Sequence, residues 1–456
     1  MMVLNDFPDR NVCIIGLGYV GLTLAVAMAD VGFKVLGVEI RDEVLADLKQ
    51  GKSHFFEPGL DEQLRKVVAL GRLSFVKTLP EDPQSSVYII TLGTPLSPDG
   101  RARMEPIGLV AKEVAKRLKP GDLVITRSTV KIGTTRNVIL PALQTAGVPF
   151  DLAFCPERTL EGQALPELRQ LPQIVGGIDH KSTVRAAQLF HFVTPTVVRV
   201  SDAETAEMIK LVDNSQRNVQ FAYANEVARI SDAIGISGAE VIAAGKLGYP
   251  RTNLPMPGPV GGPCLEKDPY ILVESVENYG IVPELTLQSR QLNERQLNEV
   301  AQYLGKVAKE LPGFPENPVI TVAGLAFKGR PATDDLRGTT ARPLIDALKG
   351  MFPKARFKGY DAVVPAEGVE SLGLEPVATL EAAFDGCHLL VIHNNHTIFS
   401  TMPIERLSAS MAAPGVIYDF WNHFSAPALS LAEGRGYMAL GSHGLFRIST
   451  NSEGAL

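Results

Sequence analysis

Short apolar runs separated by roughly 20–40 residues of helix and loop constrain this chain more than any other feature of its sequence. In the first 200 residues they fall at Asn11–Gly16, Lys34–Ile40, Val87–Leu92, Leu123–Thr126, Asp151–Cys155, Gln173–Gly177 and Thr196–Val200. Strands at that spacing predict βαβ units and a mainly parallel sheet. From Ser201 the period becomes helical. Ser201 with Glu204 predicts a capping-box start, and Met208, Leu211, Val212, Val219, Ala222, Tyr223, Val227 and Ile230 recur at helical spacing. One long helix connecting two domains is expected there. A Pro/Gly-rich loop over Tyr249–Pro263 follows, then helix to about Leu311. Leu311–Pro318 punctuates the chain as a linker does. Beyond it, strand-like runs return at Val319–Ala323, Arg356–Tyr360, His388–Ile392 and Val416–Phe420, so a second α/β unit is expected. Asn451–Leu456 reads as a frayed tail.

At about 150 residues per domain, 456 residues suggest three domains. With 45% hydrophobic and 21% charged residues, the chain is not a disordered, collagen-like or coiled-coil sequence. Its net charge of −6 argues against a generally basic nucleic-acid binder, although a local anion site is still allowed. No apolar run is long enough to span a membrane. Met1–Asp6 shows no basic segment leading into an apolar one, so no secretory leader is expected. Cys13, Cys155, Cys264 and Cys387 are too few and too dispersed for a disulfide framework. A soluble, cytoplasmic enzyme is the expectation.

Gly16-Leu17-Gly18-Tyr19-Val20-Gly21 follows a strand and opens an apolar helix to about Val31, and the next strand ends at Glu39. Gly16 permits the tight turn, and Gly18 lets backbone approach a pyrophosphate. Gly21 lets helix pack close to sheet while the helix amides face the anion. Glu39 accepts from a ribose 2′-hydroxyl and repels a 2′-phosphate, which favours NAD over NADP. Arg41 pulls the other way, because a nearby arginine can hold that phosphate.

Gly258-Pro259-Val260-Gly261-Gly262-Pro263-Cys264-Leu265-Glu266-Lys267-Asp268 sets a thiol in a glycine loop with charge at hand. Little side-chain bulk lets a substrate carbon approach, and a nearby cation favours the nucleophilic thiolate. The bland alternative is a small apolar residue in a turn. Cys13 and Cys387 read as inert core, and Cys155, before Pro156-Glu157 at a strand end, is a second candidate nucleophile. Lys210 and Asn214 project from one helix face and could polarise a carbonyl or stabilise an alkoxide, or simply be solvated. Glu157 and Glu161 are acid–base and binding groups or ordinary loop charges. His393 and His396 read as a strand-end turn rather than a metal pair, so no metal site is expected. Lys328, Arg330, Arg337 and Arg342, with Asp334-Asp335 among them, suit a small phosphate ligand better than nucleic acid.

Together these segments resemble the UDP-glucose/GDP-mannose dehydrogenase family of nucleotide-sugar 6-dehydrogenases. The matching pieces, in the family's order, are GLGYVGL at Gly16, TLGTP at Thr91, RSTV at Arg127, CPERTLEG at Cys155, AEMIKLVDN at Ala206, GPVGGPCLEKD at Gly258 and GLAFKGRPATDDLRG at Gly324. The resemblance implies two Rossmann-like doubly wound parallel-sheet domains joined by a central helical domain. Residues 1–200 would bind NAD, 201–312 carry the catalytic lysine and cysteine, and 313–456 bind the UDP-sugar. It implies oxidation of a sugar C6 alcohol to a carboxylate with two NAD, through a thiohemiacetal and thioester on Cys264. Lys210 matches the oxyanion-stabilising lysine and Asn214 its helix neighbour in the substrate site. Asp268 is associated with water and proton transfers, Glu157 with acid–base steps and thioester hydrolysis, and Thr129 with the same water. Cofactor contacts are implied for Gly16, Gly18, Tyr19, Val20, Gly21, Glu39, Arg41, Thr94, Thr129, Glu161 and Arg337. Substrate contacts are implied for Glu157, Arg158, Lys210, Asn214, Gly261, Lys267 and Lys328. Arg251 aligns with an arginine that enters the neighbouring subunit's sugar site, which implies at least a homodimer.

Some positions depart from the common pattern. Pro263 precedes Cys264 where UDP-glucose enzymes usually have Ser and many N-acetylhexosamine enzymes His. Arg158-Thr159 replaces a Phe-Leu pair, Gly329–Ala332 lengthens the loop after Lys328, and Gly338 stands where Glu commonly follows the arginine. Cys-Pro-Glu-Arg looks like the branch acting on UDP-N-acetylmannosamine or UDP-N-acetylglucosamine, which makes a UDP-N-acetylhexosamine the expected substrate. A UDP-glucose 6-dehydrogenase, a two-electron β-hydroxyacid-type dehydrogenase and a non-catalytic NAD-binding scaffold are the alternatives.

Overall fold

Val12–Ile15 and Val87–Ile90 are apolar without alternation, as strands covered on both faces must be. They pair side by side in the computed structural model of the chain, which describes residues 7–97 and 100–449. The opening Met1–Asp6 and the tail Asn451–Leu456 lie outside the described residues. The first sheet contains β1 (Asn11–Ile15), β2 (Lys34–Val38), β3 (Leu73–Val76), β4 (Val87–Ile90), β5 (Asp122–Thr126), β6 (Phe150–Phe154), β7 (Gln173–Gly177) and β8 (Val197–Arg199). Their order is β3-β2-β1-β4-β5-β6-β7-β8, parallel except at the β6–β7 pair. Successive residues of β1 feed opposite faces: Val12 and Ile14 enter one core, Cys13 and Ile15 the other.

The second sheet contains β9 (Val319–Ala323), β10 (Arg356–Tyr360), β11 (Glu375–Pro376), β12 (Leu389–Ile392), β13 (Gly415–Asp419), β14 (Arg435–Ala439) and β15 (Arg447–Ile448). Its order, β11-β10-β9-β12-β13-β14-β15, repeats the doubly wound order of the first through six strands. The repeat extends to the backbone at each switch point, the reversal of strand order where open α/β sheets bind ligands. Gly16 donates to the Val38 carbonyl at 2.9 Å, and Gly324 to the Tyr360 carbonyl at 2.8 Å.

All eleven strands expected from the sequence are present. The missed strands explain themselves. β3 is a half-exposed edge, β11 is two residues long, β14 begins Arg-Gly, and β15 is a two-residue antiparallel addition. The long helix runs Ala203–Ile234. Its start is not the expected Ser201–Glu204 box. Asp202 accepts from the Thr205 amide at 2.7 Å, while Glu204 turns to Arg136 at 2.6 Å. A carboxylate next to the first turn is the stronger acceptor for that amide, so it displaces the serine.

Two compact units divide the chain inside that helix: residues 1–214 with 267–283, and residues 215–266 with 284–456. Helix Asp268–Val276 therefore belongs to the first unit, and helix Glu284–Glu310 to the second. Among the described residues no helix is long and apolar enough to cross a membrane.

Candidate active site

In the first unit the helix Tyr19–Asp30 starts at the β1–β4 switch point, and no side chain caps its N-terminus. Its N-cap is Gly18, which has no side chain to take the first-turn amides. A Cβ at Gly18 would meet nothing within 4 Å, whereas one at Gly21 would stand 1.9 Å from the Gly16 carbonyl oxygen. The loop is therefore open where a pyrophosphate must approach and closed where helix must meet strand. The residues present fit a dinucleotide. Glu39, at the end of β2, is buried and grips Arg41: Nε donates at 2.9 Å, Nη2 at 3.0 Å and the Arg41 amide at 3.1 Å. Burial raises the Glu39 carboxyl, and these bonds outweigh it, leaving it below the usual range. With Arg41 engaged on Glu39, the site favours a ribose hydroxyl over a 2′-phosphate.

Glu57 is a residue that the sequence reading passed over. Its buried carboxylate accepts from the Tyr19 hydroxyl, from Gly162 N at 2.7 Å and from Ala164 N at 2.8 Å. It ties the first turn of the cofactor helix to the segment after Glu161. Thr94, also buried, donates to the Thr129 carbonyl. Val20 and Glu161 are half-buried in the same unit.

Arg127, the first residue of RSTV, carries no spacing signal of its own, yet it organises the far end of β5. Its side chain is 1% exposed. It holds one oxygen of Glu157 through Nε (3.1 Å) and Nη2 (2.6 Å), and donates to the Cys155 carbonyl (3.0 Å) and Gln173 (2.8 Å). The other Glu157 oxygen accepts from the Arg158 and Thr159 amides at 2.7 and 2.8 Å. Burial raises the Glu157 carboxyl, but Arg127, the Thr159 amide and the charge of Lys210 prevail, and it lies below its ordinary value. Arg158 pairs with Asp213, next to Asn214, at 2.9 Å.

Cys155 is not a second nucleophile. It is fully buried, and desolvation pushes its thiol up to about 12, so it is core. Cys13 and Cys387 are core as well, their thiols also pushed up to about 12.

On the long helix, Lys210 is half-buried and Asn214 buried. Asn214 Nδ2 donates to Asp268 Oδ2 at 2.6 Å, and Lys267 Nζ donates to Asp268 Oδ1 at 2.6 Å. Asp268, 0% exposed, thus opens helix Asp268–Val276 with each oxygen held by one of the predicted residues. One turn before Lys210, buried Glu207 accepts from Gly133 N (2.5 Å) and Thr135 N (2.8 Å), just beyond Thr129. Desolvation raises its carboxyl to about 7.

The second unit holds Cys264, exposed, in the Gly258–Glu266 loop. This loop locks onto the segment after Arg337, where Gly262 N donates to the Gly338 carbonyl at 2.7 Å. A Cβ at Gly261 would lie 2.5 Å from that carbonyl oxygen. At Gly338, φ is +60° and a Cβ would lie 2.9 Å from the Gly262 carbonyl carbon. The departure to glycine at 338 follows from this interlock. Arg337 is exposed and bidentate to Asp335, and Lys328 lies over the Phe327 ring at 5.3 Å. Arg251 is exposed and stacks over Tyr249 at 5.4 Å. His393 binds Thr340 and the Gly324 carbonyl, each at 2.7 Å, and serves the second switch point.

Sequence models of the UDP-glucose/GDP-mannose dehydrogenase family match three stretches: its NAD binding domain over residues 10–194, its central domain over 204–295 and its UDP binding domain over 321–426. The chain belongs to this family. It is therefore an NAD-dependent nucleotide-sugar oxidoreductase. The dehydrogenase is 32% identical over 408 residues to a UDP-N-acetyl-D-mannosamine dehydrogenase of Pyrococcus horikoshii, covering 88% of this chain and 93% of that one. It is 30% identical over 420 residues to an NDP-N-acetyl-D-galactosaminuronic acid dehydrogenase of Ralstonia nicotianae, covering 89% and 95%. The solved structure of the UDP-D-ManNAc dehydrogenase from Pyrococcus horikoshii superposes with a TM-score of 0.85 at 30% identity, covering 95% of this chain and all of that one.

Proposed function

We propose that the dehydrogenase oxidises the C6 hydroxyl of a UDP-N-acetylhexosamine, UDP-ManNAc or UDP-GlcNAc, to the uronate through covalent intermediates on Cys264. The carboxylate of Asp268, fully buried four residues past Cys264 in the chain and held by Asn214 and Lys267, carries this reading. A two-electron β-hydroxyacid-type dehydrogenase shares a Lys-x-x-x-Asn pair but has no need of Cys264. The N-acetylated sugar is supported by relatives at 30–32% identity whose names specify N-acetylhexosamine substrates or products.

Bound NAD supplies the two-electron acceptor for each oxidation, two equivalents per sugar. Gly16, Gly18, Tyr19, Val20, Gly21, Glu39, Thr94, Thr129, Glu161 and Arg337 would hold it, with Arg41 fixing Glu39. Lys210 stabilises the C6 alkoxide during the first oxidation, and a donor of this kind contributes about 3–4 kcal/mol. An aldehyde carbon has no tetrahedral C–H from which a second oxidation can proceed. The Cys264 thiolate therefore adds to it: the C–S bond forms, the carbonyl pair moves to oxygen, and that oxygen takes a proton. Oxidation of this thiohemiacetal leaves a thioester. Water then adds, its proton passing to Asp268 or Glu157, and Sγ departs as thiolate to free the carboxylate. Arg127 holds the Glu157 carboxyl below its ordinary value, which favours a carboxylate there as acceptor, with Thr129 beside the same water. Arg158, Gly261, Lys267 and Lys328 complete the sugar-nucleotide site.

Residues 1–200, 201–312 and 313–456 serve as cofactor, catalytic and UDP-sugar domains in this reading. The active form is at least a homodimer, in which Arg251 reaches the partner's sugar. Tyr223, Ile230 and Ile234, exposed at helical spacing on the long helix, suit burial against a second copy. An activated uronate fits supply to polysaccharide biosynthesis in the cytoplasm, where both substrates occur.

The test assays UDP-ManNAc, UDP-GlcNAc and UDP-glucose side by side and counts NADH per mole of sugar. Two NADH with an N-acetylated sugar are expected. Turnover of UDP-glucose alone, or one NADH per sugar, overturns the proposal.

A further inference from the structure

The Gly258–Glu266 loop lies outside any strand or helix, so its buried backbone groups need partners from elsewhere. They find them in a polar cluster on the long helix and on helix Glu284–Glu310, all within the second unit. Asn225 holds Gly258 in both directions. Its Nδ2 donates to the Gly258 carbonyl at 3.0 Å, and the Gly258 amide donates to its Oδ1 at 2.8 Å. Arg290 Nη1 donates to the carbonyls of Val260 and Leu265, both at 3.2 Å, and to Asn218 Oδ1 at 3.3 Å. Asn293 cross-links the cluster, donating to Asn218 O and Oδ1 at 3.1 and 3.0 Å and accepting from Asn225 at 3.0 Å. Asn218, Asn225, Arg290 and Asn293 are all at least 97% buried.

A buried guanidinium is costly, and its carboxylate partner Glu294, at 3.0 Å, is itself 43% exposed. Amide side chains alone could close a loop without that cost. The charge is instead aimed at the two carbonyls that bracket the nucleophile, four residues before it and one after. We infer that Arg290 is a positioning residue for Cys264: it fixes the loop at both flanks of the thiol, with Asn225 and Asn293 setting the height of the loop above the helices.

This rests on the proposed role of Cys264 and makes it more specific. The first oxidation needs no thiol, while the second needs Sγ at the aldehyde carbon. Loss of Arg290 therefore falls on the second half of the reaction. In Arg290→Met, steady turnover drops about 100-fold, the scale of an ångström-sized misplacement. NADH per sugar falls from two toward one, and an aldehyde-level sugar becomes trappable with a hydrazine. The KM for NAD is unchanged. Arg290→Lys, which keeps charge and donors, recovers most of the ratio.

Equal loss of both oxidations, with the ratio still two, overturns the inference, as does wild-type turnover in Arg290→Met. If Arg290→Met does not fold, Asn225→Ser carries the test on the same ratio: a fall toward one supports the inference and a value of two overturns it. Cys264→Ser separates the two claims. If it still yields two NADH, the covalent reading itself fails. If it stops at the aldehyde while the Arg290 and Asn225 variants go on to two, only the positioning role fails.

Discussion

Replacing Arg127 with methionine tests the electrostatics at the end of β5. The substitution keeps a long apolar stem but removes the guanidinium donors to one oxygen of Glu157, to the Cys155 carbonyl and to Gln173. The remaining Glu157 oxygen keeps its two backbone amides. A buried carboxylate is then left without its cation, a loss of about 3–5 kcal/mol. For a unit of this size that corresponds to a midpoint lower by roughly 6–20 °C near neutral pH. The pH dependence gives the sharper reading. In the wild type the Glu157 pKa is lowered on folding, so its contribution is present above the unfolded value of about 4.3 and lost as pH falls through the folded one. Without Arg127, the largest cause opposing desolvation is gone; the folded value is expected to rise above the unfolded one, so that ionised Glu157 destabilises the fold. The variant's deficit therefore shrinks as pH falls from 7.5 to 5, and the acid limb of its pH–rate profile moves up. Thermal unfolding at several pH values, with Arg127→Met/Glu157→Gln as the neutral pair that regains stability, measures both effects. A midpoint within 2 °C of wild type at pH 7.5, or a deficit independent of pH, refutes the reasoning.

Glu39→Gln leaves Arg41 without its carboxylate, and the ratio of kcat/KM for NAD over NADP should fall at least tenfold; an unchanged ratio means that Arg41 does not face the ribose. Glu207, whose carboxyl rises to about 7, costs stability as pH rises from the unfolded value toward 7, so the midpoint advantage of Glu207→Gln should grow between pH 5 and 7 and then level off. Differential scanning fluorimetry over that range decides, and a flat difference excludes the desolvation argument. Gly338→Ala places a methyl against the Gly262 backbone at a left-handed φ, and should lower sugar oxidation while NAD binding, followed by fluorescence titration, stays intact. Parallel loss of both would show that the interlock is not confined to the Cys264 loop.

Much of the architecture was legible because periodicity is local. Uninterrupted apolar runs marked the buried strands, and the change of period at Ser201 marked the long helix. β14 was missed because Arg435 and Gly436 break the pattern that its buried residues otherwise follow. The capping assignment failed through a competition that residue types alone do not resolve, since Asp202 and Ser201 both have an acceptor to offer. Among the candidate functional residues, those inside motifs, such as Lys210, Asn214 and Asp268, stand out in the sequence, whereas Arg127, Glu57, Glu207 and Arg290 do not. Each of those acts on a partner 30 or more residues away or on bare backbone, contacts that leave no spacing in the chain.

Two α/β units with mainly parallel strands, the dinucleotide turn at Gly16–Gly21 and the thiol in its glycine loop were legible along the chain, because these depend on the order of apolar, glycine and polar residues along short segments. Which thiol is core and which is exposed, the hold of Arg127 on the Glu157 carboxyl, the engagement of Arg41 on Glu39 and the suspension of the Cys264 loop from a buried arginine are visible only in the fold. Those outcomes depend on desolvation and hydrogen-bond geometry among groups far apart in the chain, and neither exists until the fold has brought them together and excluded water.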